Sequence, residues 1–119
     1  MALHLYGIRS CDSCRKARHW LEAQGIEYEC HDIRAEELDG DRLRAWQQQV
    51  GWEQLLNRRS LTWRKIPSFD RDNLDADAAV RLIQAYPTVM KRPVLELGGD
   101  AAPLVGFDED HYAQAVTTT

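Results

Sequence analysis

The stretch Leu3-His4-Leu5-Tyr6-Gly7-Ile8-Arg9-Ser10-Cys11-Asp12-Ser13-Cys14 changes its hydrophobic period midway, and that change decides the fold. Over residues 2–6, Leu3 and Leu5 alternate with His4 and Tyr6, as the two faces of a strand require. Gly7-Ile8-Arg9-Ser10 reads as a turn. Over residues 11–24, Cys14, Ala17, Trp20 and Leu21 recur at intervals of three and four, which places them on one stripe of a helix. Gly25 stands where a helix ends in the left-handed conformation. Ile26, Tyr28 and Cys30 then alternate with Glu27 and Glu29, a second strand, and this alternation predicts that Cys30 is a buried apolar residue. Strand, helix and strand within about 30 residues make the βαβ unit that opens a parallel or mixed sheet.

Working outward, residues 35–88 show no strand and read as a helical insertion. Residues 38–49 suit a helix with Asp39 as its cap, and residues 52–57 a short one. Asp75 opens a third helix, in which Ala79, Val80, Leu82, Ile83 and Tyr86 recur at helical spacing. Strands return with Pro93-Val94-Leu95-Glu96-Leu97 and Pro103-Leu104-Val105, joined across Gly98-Gly99-Asp100 as an antiparallel hairpin. Asp108 caps a last short helix, and a frayed tail is expected over 117–119. The expected architecture is an α/β domain spanning 1–119, a mixed sheet with a helical insertion.

Composition bounds what such a domain does. At 119 residues the chain has room for one core. A net charge of −4 argues against a mainly nucleic-acid-binding surface, although Arg9, Arg15, Lys16 and Arg18 concentrate positive charge around the first cysteines. No apolar run approaches the roughly 20 residues that span a bilayer, and the amino terminus lacks a signal-peptide pattern. The expected compartment is the cytoplasm, with neither membrane nor direct nucleic acid as a partner. There a disulfide is transient, catalytic or sensing, and three cysteines do not make a purely structural framework.

Cys11-Asp12-Ser13-Cys14 therefore reads as a redox motif. Cys11 sits where a strand turns into a helix, and the unpaired N–H groups and dipole of a helix start favour a thiolate. Arg9 and Arg15 add positive charge. The offset of three brings Cys14 onto nearly the same helical face, where it is placed to attack a mixed disulfide at Cys11. Cys14 also fits the core stripe of Ala17 and Trp20, so resolving thiol and buried core residue both stand. Zinc held by the pair with Cys30 and His31 is the less favoured alternative, and no metal ligand is assigned.

Tyr6-Gly7-Ile8-Arg9-Ser10-Cys11-Asp12-Ser13-Cys14-Arg15-Lys16-Ala17-Arg18 resembles the opening of the arsenate reductase/Spx (ArsC-like) family, and more specifically its YffB-like branch. Leu55-Leu56-Asn57-Arg58-Arg59, Thr62-Trp63-Arg64-Lys65 and Lys91-Arg92-Pro93-Val94-Leu95 match in order and spacing. The resemblance implies a thioredoxin-like fold with Cys11 as nucleophile. It implies that Arg92, before a cis Pro93, faces the cysteine loop and binds an anionic substrate group, which a guanidinium's planar fork of donors suits. Pro93 and Arg15 join Arg58 and Arg59 as expected substrate-binding residues, the last two with a solvated cationic face as the competing reading.

Departures from the pattern select among activities. Arsenate reductases that use glutathione and glutaredoxin resemble one another in a histidine four residues before the nucleophile, where this chain has Gly7. They also use two further arginines, and the nearest positions here are Asn57, beside Arg58 and Arg59, and Gly106. The YffB-like resemblance instead implies a glutathione-dependent thiol–disulfide reductase, with glutathione as co-substrate and no bound cofactor. Arsenate reductase is one alternative. The other is an Spx-type redox-sensing regulator, whose partner is RNA polymerase.

Overall fold

The computed structural model describes residues 3–98 and 101–116. In chain order these form β1 (Leu3–Gly7), α1 (Asp12–Ala23), β2 (Tyr28–Asp32), α2 (Gly40–Val50), α3 (Trp52–Leu55), α4 (Leu61–Lys65), α5 (Ser68–Arg71) and α6 (Ala76–Ala85). A 3-10 turn at Pro87–Val89, β3 (Val94–Glu96), β4 (Leu104–Val105) and α7 (Glu109–Val116) complete them. Gly99 and Asp100 of the expected hairpin turn, and the 117–119 tail, lie outside the described residues. The chain divides into two compact units, Met1–Asp32 with Arg92–Thr119, and Ile33–Lys91.

The first unit is a four-stranded mixed sheet in the order β2-β1-β3-β4. β1 runs parallel to β2 and antiparallel to β3, and β3 runs antiparallel to β4. A βαβ element followed by a hairpin and a helix is the thioredoxin-like α/β arrangement. The α1 stripe of Cys14, Ala17, Trp20 and Leu21 is buried as its spacing requires, and Gly25 turns the chain out of the helix at φ +68°, a conformation glycine adopts without a Cβ penalty. Leu3, Leu5, Ala17, Trp20, Leu21, Leu95 and Tyr112 form the core. Tyr112 arrives on α7, which Asp108 starts by accepting a bond from the His111 N–H at 3.1 Å. Its ring meets Trp20 and Phe107 edge-on, with centroids 5.7 and 4.9 Å away, the arrangement aromatic quadrupoles favour.

On the face of β1 away from Leu3 and Leu5, Tyr6 is buried too, stacked at 4.6 Å on His31. β1 is a central strand, and strands with neighbours on both sides tend to be covered on both faces. Cys30 is exposed instead of buried. It lies on the edge strand β2 and lines an open cavity of about 430 Å³ with Gly7, Arg9, Arg18, Glu22, Tyr28 and Asp32.

The second unit is built of helices, and two of its boundaries follow from caps. Asp39 accepts from the Asp41 N–H at 3.1 Å and starts α2, and Asp75 accepts from the Ala78 N–H at 2.8 Å and starts α6. The two helices pack on each other through buried residues that include Leu43, Trp46, Ala79 and Ile83. The helix expected over 52–57 stops at Leu55, because Leu56 turns extended and bridges Met90. The Asn57 and Lys91 N–H groups bond Val89 and Leu55 carbonyls on either side, at 2.8 and 2.7 Å. No helix of the described residues is long and apolar enough to cross a membrane.

Candidate active site

Cys11 is the N-cap of α1. Its backbone is extended (φ −77°, ψ 128°), and its side chain makes no capping hydrogen bond. The Cys11 N–H bonds the Ile8 carbonyl at 3.1 Å and closes the turn after β1, while the Cys11 carbonyl accepts from Arg15 N–H at 3.0 Å and opens the helix. The sulfur is thus held between a turn and a helix start, half-buried, at the end of the strand.

The electrostatics separate the two thiols. Partial burial works against a Cys11 thiolate, but the Cys14 N–H, the Cys14 thiol, the Ser13 N–H and the Arg92 guanidinium favour the anion and outweigh it. Its pKa falls below the ordinary 9.0. Cys14 goes the other way, to about 11. Burial is the main cause, and the charge and hydrogen bond of Cys11 add to it, against the opposing pull of an Ile8 backbone bond and Arg92. One sulfur is prepared as the anion and the other as the donor beneath it. These are the first two causes of reactivity that govern cysteines at helix starts, backbone N–H groups and a nearby cation.

Two residues outside the motif shape this arrangement. The Arg92-Pro93 peptide bond is cis, and the Pro93 carbonyl accepts from the Gly106 N–H at 2.8 Å. Gly7 ends β1 against Cys14: a Cβ there would overlap Cys14 Sγ, stand 3.4 Å from Cys14 Cβ and 3.8 Å from Pro93 Cβ. A side chain at position 7 and a sulfur at position 14 compete for one space.

The unit thus brings together Cys11, Cys14, Arg92 and Pro93. Arg15 is engaged elsewhere, in an ion pair with Asp12 one turn away, and the Arg9 carbonyl accepts from the Arg18 guanidinium at 3.1 Å. Arg92 is the arginine among the leading causes of the lowered Cys11 pKa. Arg58 and Arg59 belong to the helical unit. There the Arg58 guanidinium lies over the rings of Trp52 and Trp63, at 6.0 and 5.8 Å from their centroids, within cation–π range. The Arg59 N–H donates to Asn57 Oδ1 at 3.0 Å.

Sequence reasoning named Cys11, Cys14 and Arg92, and noted Gly7 only as the position where a histidine is replaced, not as a packing partner of Cys14. The clue was present: a glycine closing an apolar strand, seven residues before a cysteine on the buried stripe, marks a close approach of backbone and side chain.

A family model described as the ArsC family matches residues 6–115. The chain belongs to the ArsC family. Among ArsC-family relatives, a Haemophilus influenzae protein described as uncharacterized is 39% identical over 111 residues, covering 93% of this chain and 96% of that one. A Listeria innocua protein named global transcriptional regulator Spx is 34% identical over 108 residues, covering 89% and 80%. A solved YffB structure is 44% identical with a TM-score of 0.90, covering 96% of this chain and 98% of that one.

Proposed function

We propose that this ArsC-family chain is a glutathione-dependent thiol–disulfide reductase with Cys11 as nucleophile. The observation that carries the reading is the place of Cys11 at the N-cap of α1, where the Ser13 and Cys14 N–H groups, the Cys14 thiol and the Arg92 guanidinium favour its thiolate. The Cys11 thiolate attacks the sulfur of a mixed disulfide, forms a Cys11–glutathione disulfide and releases the other sulfur as a thiolate, which takes up a proton. A second glutathione thiolate then attacks the Cys11–glutathione bond. Cys11 leaves as the thiolate and oxidised glutathione departs, so two glutathione electrons reduce one disulfide. Arg92 holds the anionic end of the incoming tripeptide and the Cys11 charge in turn.

Cys14 is the less suited resolving thiol. Its own burial keeps it protonated after Cys11 has lost its charge to the adduct, because burial and not the Cys11 charge is the larger cause of its raised pKa. The reading therefore assigns resolution to external glutathione. Mass measurement after treatment with oxidised glutathione tests it on wild type, Cys11→Ser and Cys14→Ser. An adduct on wild type and Cys14→Ser that is absent from Cys11→Ser, with turnover of a glutathionylated peptide, supports it. An internal disulfide with no lasting adduct in wild type contradicts it.

A second reading is a redox-sensing regulator, favoured by the 34% identity to a protein named global transcriptional regulator Spx. RNA polymerase is then the partner. Retention of RNA polymerase by the immobilised chain, without turnover of the glutathionylated peptide, supports that reading. Arsenate reduction is disfavoured because Gly7 replaces the histidine that the arsenate reductases resembled above carry, and Cys14 Sγ fills the space a side chain there needs.

A further inference from the structure

The sheet face opposite α1 carries a group of side chains that the thiol chemistry leaves unused. β1 and β2 are parallel and in register, with His4 opposite Glu29 and Tyr6 opposite His31. Residues two apart on a strand share a face, so His4, Tyr6, Glu29 and His31 all project from one side, while Leu3 and Leu5 meet Ala17, Trp20 and Leu21 on the other. The pairing brings three metal-ligating atoms to one point. His4 Nδ1 lies 2.9 Å from His31 Nε2 and 3.3 Å from Glu29 Oε2, and the last two atoms are 3.9 Å apart.

We propose that His4, Glu29 and His31 bind a divalent transition-metal cation of the zinc class. Zinc takes imidazole nitrogen and carboxylate oxygen at about 2.0–2.2 Å in a tetrahedron, which separates any two donors by about 3.3 Å. The three separations here fall around that value. The nitrogen pair opens by a few tenths of an ångström, and the glutamate closes by about half an ångström. The partners divide into fixed and adjustable in the required sense. His31 is stacked on Tyr6 with ring planes 12° apart, and the two histidine side chains are 24% and 19% exposed, whereas the Glu29 side chain is 67% exposed and free to swing.

Two histidines and one carboxylate are also the donor set of zinc sites that keep a fourth position for water. The competing arrangement is a plain hydrogen bond, in which one ring nitrogen donates and the other accepts. A metal takes the place of that shared proton and leaves both nitrogens as acceptors toward the cation, with Glu29 neutralising one of its charges. Bound there, it joins the edge strand β2 to the central strand β1 by side chains, beside the backbone ladder they already share. Cys11 and Cys14 lie outside the set, as does exposed Cys30, so binding here does not depend on the redox thiols.

Histidine ring NMR signals of the wild-type chain during titration with zinc chloride give the test. Cys11 and Cys14 offer zinc a rival site, and the rings distinguish the two. One equivalent is expected to shift His4 and His31 and to leave His19 and His111 in place. His4→Gln and His31→Gln, each checked for an unchanged backbone amide spectrum, are expected to lose about tenfold or more in zinc affinity. Zinc that moves neither the His4 nor the His31 ring overturns the proposal. So does zinc affinity in both variants equal to that of wild type.

Discussion

Cys14 Sγ occupies the space that a Cβ on Gly7 would need. The end of β1 and the first turn of α1 are fitted to each other through this pair, and the fit holds Cys14 under Cys11, where its thiol bonds the reactive sulfur. Gly7→Ala is expected to cost about 1–3 kcal/mol through overpacking. In a Cys14→Ala background most of that cost disappears, because the sulfur is gone. Urea unfolding of the four species under reducing conditions gives the coupling, and additive costs contradict the fit.

Alkaline stability follows from Cys14. Its pKa is raised from 9.0 to about 11 in the folded chain. Above pH 9 the unfolded chain has lost this proton and the native chain still holds it, so stability falls as pH rises from about 9 to 11. Below pH 9 both states hold the proton and the contribution is complete. Cys14→Ala is expected to flatten the decline over that window, read as the unfolding midpoint against pH. A decline of equal steepness in the variant contradicts the assignment.

Arg92 favours the Cys11 thiolate, and under the proposed function it also holds the substrate anion. Arg92→Ala is expected to slow Cys11 alkylation at pH 7, because one of the groups that lower its pKa is gone. It is also expected to raise KM for a glutathionylated peptide. Arg92→Lys keeps the charge and loses the planar fork, so it restores alkylation more than KM. Equal recovery of both by lysine contradicts a forked contact.

The Tyr112 hydroxyl is buried with no hydrogen-bond partner among the described residues, and burial raises its pKa, with Cys14 adding to the rise. Tyr112→Phe removes an unsatisfied group and keeps the ring against Trp20 and Phe107. Stability is expected to hold or to rise by about 1 kcal/mol. A loss beyond that size in thermal unfolding shows that the hydroxyl has a partner.

Much of this was legible in the sequence, for physical reasons. The α1 stripe and Gly25 were visible because an amphipathic helix with a glycine stop writes its period directly. Asp39, Asp75 and Asp108 marked three helix starts, because a side-chain oxygen there takes an otherwise orphaned N–H. α4 and α5 were not legible, since a single turn is too short to show a period. Cys30 was misjudged because alternation tells which residues share a face and not whether anything covers that face at a sheet edge. The ties between Gly7 and Cys14, and among His4, Glu29 and His31, depend on the register of parallel strands and on how α1 crosses them. No local pattern encodes either.

The central claim is that Cys11 is the prepared nucleophile. Its rate of iodoacetamide alkylation, followed by peptide mass analysis across a pH series, tests that most directly. The account predicts a Cys11 midpoint clearly below 9.0, with Cys14 unmodified until well above it. A Cys11 midpoint at or above 9.0, or modification of Cys14 first, contradicts it.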